Sequence, residues 1–398
     1  MTTTADWERQ RDPARFTMAL SDEQLELREA VRSFAQDRLA PGAAERDRSR
    51  EFPHDLVREM AEMGLMAVKV PADEGGAGAD NVAYALVMDS LARCDASCAV
   101  VMAASNLCAN ILTKAASPAQ KERWLRPLAE GALGAAAFCL TEPQAGSDAS
   151  QVQTVARPDG AGFRLSGSKM WATSGAYAGL YLVFAKTDPS LGARGLSCFV
   201  VEKGAQGLEI GKEEQKMGQR SSGTVALHLD GCYVERDAQI GAGGEGYGLA
   251  LEALGAGRVG IAALACGLAE AAMLEGVRYS SERRAFGQRV ADFQASQFAL
   301  AECLTELDAA WLLTLRAARL LDQGDVARAE TSMAKMFATE ACGRIVDRML
   351  QLHGGYGYSE EYPIERLYRD ARVTRIYEGT NEIQRLVVAR ELLRGLGL

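Results

Sequence analysis

The run Arg375-Ile376-Tyr377-Glu378-Gly379-Thr380-Asn381-Glu382 sets a carboxylate directly before glycine at the opening of an apolar helix. A carboxylate so placed either answers the positive end of a helix dipole or acts as a positioned base. Taken alone, the dipole reading wins. Four other runs could carry chemistry. Cys139-Leu140-Thr141-Glu142-Pro143-Gln144-Ala145-Gly146-Ser147-Asp148 joins small residues, which let backbone approach a ligand, to the hydroxyls of Thr141 and Ser147. It reads equally as a capped turn. Lys169-Met170-Trp171-Ala172-Thr173-Ser174-Gly175, on a predicted strand, puts an indole near hydroxyls, a pairing that can pack on a flat heteroaromatic ring and bond its edge. A core tryptophan is the plainer account. Arg283-Arg284-Ala285-Phe286-Gly287 follows a long helix, where paired arginines suit a pyrophosphate, although most such pairs are solvated surface. Gln351-Leu352-His353-Gly354-Gly355-Tyr356-Gly357-Tyr358, continuing through Glu361, Arg366 and Asp370, ends a helix in glycines. These either cap it or admit a bulky ligand. No GxGxxG follows a strand in a βαβ unit, so the dinucleotide fingerprint is missing.

The elements that must position these residues fall into three zones. At 398 residues the chain exceeds one small core, and roughly 150 residues per domain implies two or three. Residues 20–134 read as helical. Ser21 and Gln24 form a capping-box pattern ahead of Leu27, Val31 and Phe34, and Pro41-Gly42 is expected to end that helix. A second helix is predicted from Pro53 to Met63 with Gly64 as its stop, then a glycine-rich loop over 71–80 and two helices over 81–116. Ser117-Pro118 opens another helix. Residues 135–242 read as an antiparallel β domain. Val225, Leu227 and Leu229 alternate with polar or small neighbours, Tyr181–Phe184 and Leu196–Val201 are strands, and Pro158-Asp159-Gly160 turns a hairpin. Residues 243–398 read as a bundle with helices at Arg258–Ser280, Asp292–Gln323, Asp325–Leu352 and Thr380–Gly395, the last burying Leu386, Val387, Ala389 and Leu392. The fold class is α+β: helical, then β, then a four-helix bundle.

Composition narrows the function. Hydrophobic residues at 48% and charged residues at 24% are an ordinary globular balance. A net charge of −9 argues against a nucleic-acid partner; an anionic small ligand needs only a few local cations and helix N-termini. Nine scattered cysteines without a CxxC pair read as free buried thiols in a reducing cytosol. Three histidines give no zinc spacing, so no metal is expected. Met1–Phe16 is polar and of mixed charge, unlike a signal or transit peptide, and no apolar run is expected to span a membrane. The expectation is a cytoplasmic protein.

Taken in order and spacing, these runs resemble the acyl-CoA dehydrogenase family from about Leu20 to Leu393. Cys139–Asp148 is similar to the family's first signature, with Gln151 the one departure, and Gln351–Asp370 is similar to its second. The resemblance implies a homotetramer binding FAD between the β domain and the bundle. It places Phe138, Cys139, Leu140, Thr141 and Ser147 along the flavin, and Trp171 and Thr173 beside its ring. It implies that Arg283, Phe286 and Gln294 reach a neighbouring subunit's FAD. Gln351, Gly354, Gly355, Thr380 and Glu382 would complete the cofactor site. Ser147, Arg258, Tyr377, Glu378 and Gly379 fall at substrate positions; a polar contact usual near Gly255 is missing. Glu378 becomes the implied catalytic base, taking the α-proton of an acyl-CoA thioester as hydride passes to flavin N5, giving a trans-2-enoyl-CoA. Burial should raise its pKa and strengthen it as a base. Some branched-chain relatives carry the base just before an arginine on the first long helix; here that position is Gly257. The run Ser332–Thr339 looks closest to short- and branched-chain enzymes, and an electron-transfer flavoprotein is the implied acceptor. Alternatives on the same fold are an acyl-CoA oxidase or flavin monooxygenase. An alternative of another class is a non-catalytic acyl-CoA-binding scaffold.

Overall fold

The computed structural model describes residues 19–397, and the polar stretch Met1–Phe16 lies outside them. The first helix, α1 (Asp22–Phe34), starts where the sequence signals it. Ser21 Oγ accepts from Gln24 N at 3.2 Å while Gln24 Oε1 accepts from Ser21 N at 3.0 Å. Pro41-Gly42 does not end it. A π turn (Ala35–Leu39) and a 3-10 turn (Ala40–Gly42) carry the chain into α2 (Ala43–Ser49), which stops at Arg50 with φ 62°. Proline has no N–H to place in an α-helical ladder, and this local rewinding absorbs it where a straight helix would break. Then come α3 (His54–Glu62), ended by Gly64 at φ 73°, and two helices that are almost wholly buried, α4 (Asn81–Ala92) and α5 (Ala96–Ala115). Asp80 and Asp95 cap these through side-chain oxygens. Ser117 and Gln120 form a second capping box.

The middle of the chain is a sheet ordered β6-β7-β3-β2-β4-β5-β8, with β1 beside β4. Its strands are β1 (Ala136–Cys139), β2 (Val155–Asp159), β3 (Gly162–Ala172), β4 (Leu180–Lys186), β5 (Leu196–Glu202), β6 (Leu208–Glu213), β7 (Val225–Glu235) and β8 (Gln239–Ile240). Pairing is antiparallel except that β1 runs parallel to β4 and β2 meets β4 at one parallel pair. Pro158 lies within β2 opposite Phe163, so the hairpin turns on Gly160-Ala161, one step later than expected. Two irregularities in the β3–β7 register, after Leu165 and after Lys169, bend β3, the second beside Trp171.

The C-terminal bundle is built from α6 (Gly246–Glu282), α7 (Gln294–Asp322), α8 (Arg328–His353) and α10 (Asn381–Gly395). Helix α6 begins at Gly246, well before Arg258, because its Ala/Leu-rich first turns outweigh Gly248, Gly255 and Gly257. Two elements of this C-terminal region differ from the sequence expectation, as do strands β1, β6 and β8 earlier in the chain. One is α9 (Pro363–Arg372), opened by proline at its first position; the other is a hairpin of β9 (Arg284–Ala285) and β10 (Gln288–Arg289). Helix α10 corrects a packing expectation: Leu386, Ala389 and Leu392 are exposed and Val387 half-buried, while Asn381 and Gln384 are buried. The Asn381 side chain accepts from Lys335 and that of Gln384 donates to the Gly379 carbonyl just ahead of the helix, which turns the apolar stripe outward.

One core joins α1 and α3–α9, and a second fills the β domain and the ends of α5 and α6 that touch it. By length and composition α5 and α6 could each cross a membrane, contrary to expectation; 89% of the apolar window of α5 is buried inside the protein. All nine cysteines are free, eight of them buried, as the scattered spacing implied.

Candidate active site

Glu378 sits in the short loop between α9 and α10, at φ 50°, a region costly for any residue with a Cβ. Part of the residue remains accessible, yet its Oε2 is buried and makes no hydrogen bond. Burial raises the carboxyl pKa to about 7, opposed first by the charge of Lys335 and then by that of Arg258. These cations act through space. Arg258, on α6, donates Nη1 to Ser332 Oγ at 3.2 Å while its Nε is buried without a partner. Lys335, on α8, donates to Gly379 O at 2.9 Å and Asn381 Oδ1 at 3.0 Å. Burial lowers its pKa to about 8, against the pull of Glu378.

The wall around this carboxylate is shaped by missing side chains. A Cβ on Gly257 would come within 2.5 Å of Glu378 Oε2, and one on Gly260 within 2.8 Å of the Tyr84 ring. Tyr84, on α4, is buried, and its phenol pKa is pushed up by burial and then by the nearby Glu378. Gln384 Nε2 donates to the carbonyls of Glu378 (3.3 Å) and Gly379 (2.9 Å), so two side chains hold this loop from below. Tyr377 OH accepts from Gln219 Nε2 at 3.2 Å. Gln219 belongs to the β6–β7 loop, and Asp370 Oδ1 accepts its backbone N–H. The same loop reaches the end of β3: Ser222 Oγ donates to Gln219 O at 2.8 Å, and Ser222 O accepts from Ser174 N at 2.8 Å. The β domain is thereby tied to the residue beside Glu378.

At that end of β3, Trp171 is 57% exposed with φ 61°, an uncommon setting for an indole. Met170 N donates to Thr141 O at 2.9 Å, which lays the 139–148 run along β3. Beneath them lies a buried ion pair. Lys169 Nζ donates to Glu142 Oε1 at 2.7 Å, and Glu142 also accepts from Gln153 N (2.7 Å) and Thr154 N (3.0 Å) and from the Thr154 hydroxyl. These donors hold Glu142 near pKa 2 despite burial. Phe138, Thr141 and Thr173 are half-buried and Ser147 is exposed. Cys139 and Leu140 are buried in the core of the β domain. Ser174 Oγ is buried without a partner. Among the described residues, Trp171, Ser174, Gln219 and Glu378 are four of the seven positive-φ non-glycine residues, so strained backbone gathers here.

The remaining expected residues lie on the β9–β10 hairpin and at helix ends. Phe286-Gly287 form the tip of the β9–β10 hairpin with φ 50° and 85°, and the Phe286 side chain is 97% exposed. Arg283 lies over the Tyr356 ring at 5.6 Å, next to Gly354 and Gly355; Gln294 and Gln351 are exposed at helix ends. Thr380 caps α10 through Oγ1, and Glu382 is exposed in its first turn. Sequence reasoning missed Lys335, Gln219, Asn381, Gln384 and the Glu142–Lys169 pair as supports. A lone lysine among Met333, Ala334, Met336 and Phe337 was the one visible signal.

The chain matches the family models "Acyl-CoA dehydrogenase, N-terminal domain" over residues 21–132, "middle domain" over 137–232 and "C-terminal domain" over 244–393. It is 43% identical to the mitochondrial short-chain specific acyl-CoA dehydrogenase of Bos taurus, covering 92% of this chain and 89% of that one. It is 42% identical to a 3-(aryl)acrylate reductase of Clostridium sporogenes, covering 94% and 99%. Among solved structures, butyryl-CoA dehydrogenase from Megasphaera elsdenii superposes with a TM-score of 0.92 at 38% identity, over 95% of this chain and all of that one.

Proposed function

Since the chain belongs to the acyl-CoA dehydrogenase family, a family of flavoprotein oxidoreductases, we propose that it dehydrogenates a short or branched acyl-CoA thioester with Glu378 as the base. The observation that carries this reading is the buried Oε2 of Glu378, free of hydrogen bonds and raised to about pKa 7. A carboxylate stripped of water and partners is a stronger base than one in solution, and it is half-ionised near neutral pH.

The residues fit a flavin. An exposed indole beside half-buried Thr141, Phe138 and Thr173, above a rigid buried ion pair, offers a flat apolar wall with hydroxyls at its edge. Phe138, Leu140, Thr141, Ser147, Trp171 and Thr173 would hold FAD, with Thr380 and Glu382 nearby. When bound, FAD supplies the acceptor for the two electrons. The chain's own part is to orient and deprotonate. Glu378 takes the α-proton, and its backbone N–H would donate to the thioester carbonyl, where enolate charge builds. Arg258 and Lys335 keep the carboxylate from being fully neutralised by burial. Gly257 leaves room for the carboxylate itself, since a Cβ there would come within 2.5 Å of Oε2. Arg283, Phe286, Gln294, Gln351, Gly354 and Gly355 serve a cofactor shared between subunits of a homotetramer, and an electron-transfer flavoprotein accepts the electrons.

The test is the visible spectrum of the purified protein, before and after anaerobic addition of a series of acyl-CoAs. Bleaching by a short or branched thioester, slowed drastically in Glu378→Gln, supports the reading. A flavin that no acyl-CoA bleaches overturns it. Rapid recolouring in air would assign an oxidase instead.

A further inference from the structure

We propose that Lys335 is the positioning residue for the base: its ammonium pins the Gly379 carbonyl to the first residue of α10 and stands as the principal counter-charge of Glu378. This rests on Glu378 being the base. Lysine is among the residues least often fully buried, and Lys335 is wholly buried in the middle of α8. Its two hydrogen bonds both go to the segment that carries Glu378, at Gly379 O (2.9 Å) and Asn381 Oδ1 (3.0 Å). Asn381 is itself fixed, donating to Thr339 Oγ1 at 2.9 Å and Glu340 Oε1 at 3.0 Å. A strained φ of 50° at Glu378 is therefore held by a network that starts on a rigid helix one turn away from Thr339.

The other groups facing this carboxylate are accounted for. Arg258 reaches from α6 but is bonded to Ser332, and among the described residues it makes no hydrogen bond to the loop. The phenols of Tyr84 and Tyr377 stay neutral, each driven up by burial. Glu340 and Glu382 act on Lys335 and not on Glu378. Lys335 alone couples charge to geometry. It uses donors where a lysine-to-apolar change would leave the Gly379 carbonyl and Asn381 unpaired.

The test is a pH titration of the Glu378 carboxyl band by isotope-edited infrared spectroscopy on the FAD-loaded enzyme without substrate, with Glu378→Gln identifying the band. Lys335→Met removes charge and donors together. Lys335→Gln keeps a donor for Gly379 O and isolates the charge, and serves if the methionine variant does not fold. The midpoint is expected to rise by about one pH unit or more in Lys335→Gln, as loss of a nearby opposite charge requires. The acid limb of the bleaching rate should move with it. An unchanged midpoint in Lys335→Gln overturns the proposal. If Glu378→Gln bleaches as fast as the native enzyme while the midpoint still moves, the base assignment falls and the coupling of Lys335 to Glu378 stands.

Discussion

At the scale of single residues, the balance at Glu378 is between desolvation, which favours the neutral acid, and two nearby cations, which favour the anion. Desolvation wins, and the folded-state pKa of about 7 lies above the ordinary value of 4.5. The bleaching rate at low substrate should therefore rise with pH through about 7, and a flat profile from pH 5 to 9 would be inconsistent with this base. Replacing Glu378 by Gln should slow bleaching by roughly 10²–10⁴-fold. The same change should stabilise the fold in alkali. A raised pKa means that the native state is penalised for ionising, fully above pH 7 and not at all below 4.5. Thermal melts should show Glu378→Gln more stable than the native chain at pH 8, by up to about 3 kcal/mol, with the gain vanishing near pH 4.5.

At the scale of elements, the ledge around Trp171 depends on the buried pair between β3 and the 139–148 run. Glu142 and Lys169 have side chains 2% and 0% exposed, so neither can be rehydrated if its partner goes. Lys169→Met should cost about 3–5 kcal/mol and loosen flavin retention, read by melting and by the flavin left after gel filtration. The carboxyl is held near pKa 2 against 4.5 unfolded, so its contribution is present above pH 4.5 and lost as pH falls toward 2. Helix α6 supplies the second elemental constraint. Alanine at Gly257 would place a methyl 2.5 Å from Glu378 Oε2. The expected result is a drop in bleaching rate of about tenfold or more, from misplacing the base by a fraction of an ångström, with little change in melting temperature. A variant as fast as the native enzyme would show that the base has room to step aside.

At the scale of the molecule, several apolar groups are left uncovered by this one chain. The Phe286 tip of the β9–β10 hairpin, Phe298 and Leu304 on α7, and Leu386, Leu392 and Leu393 on α10 are all exposed. Large apolar side chains left exposed in this way are what an association surface would cover. Under the homotetramer reading, Leu392→Asp should lower the mass measured by analytical ultracentrifugation. Phe286→Ala should leave the mass intact and reduce FAD retention. A native monomer that keeps its flavin would remove the basis for both.

Much of this protein is legible in a linear reading because it rests on local chemistry. Caps at Ser21 and Ser117, the alternation along β7 and the glycine stops act within a few residues, so type and spacing suffice to place the elements. The same holds for Glu378, whose run of neighbours carries the family resemblance. Pro41 and α9 escaped because a π turn and an amphipathic face are decided by what packs against them. The direction of the α10 stripe was misjudged for the same reason: Asn381 and Gln384 face inward only because Lys335 and the Gly379 carbonyl await them there. Tertiary structure alone brings together Lys335, Arg258, Gln219 and Gly257 around one carboxylate, from positions far apart in the chain. The base can be named from its neighbours in sequence, but its strength comes from the water excluded and the charges gathered when the chain folds.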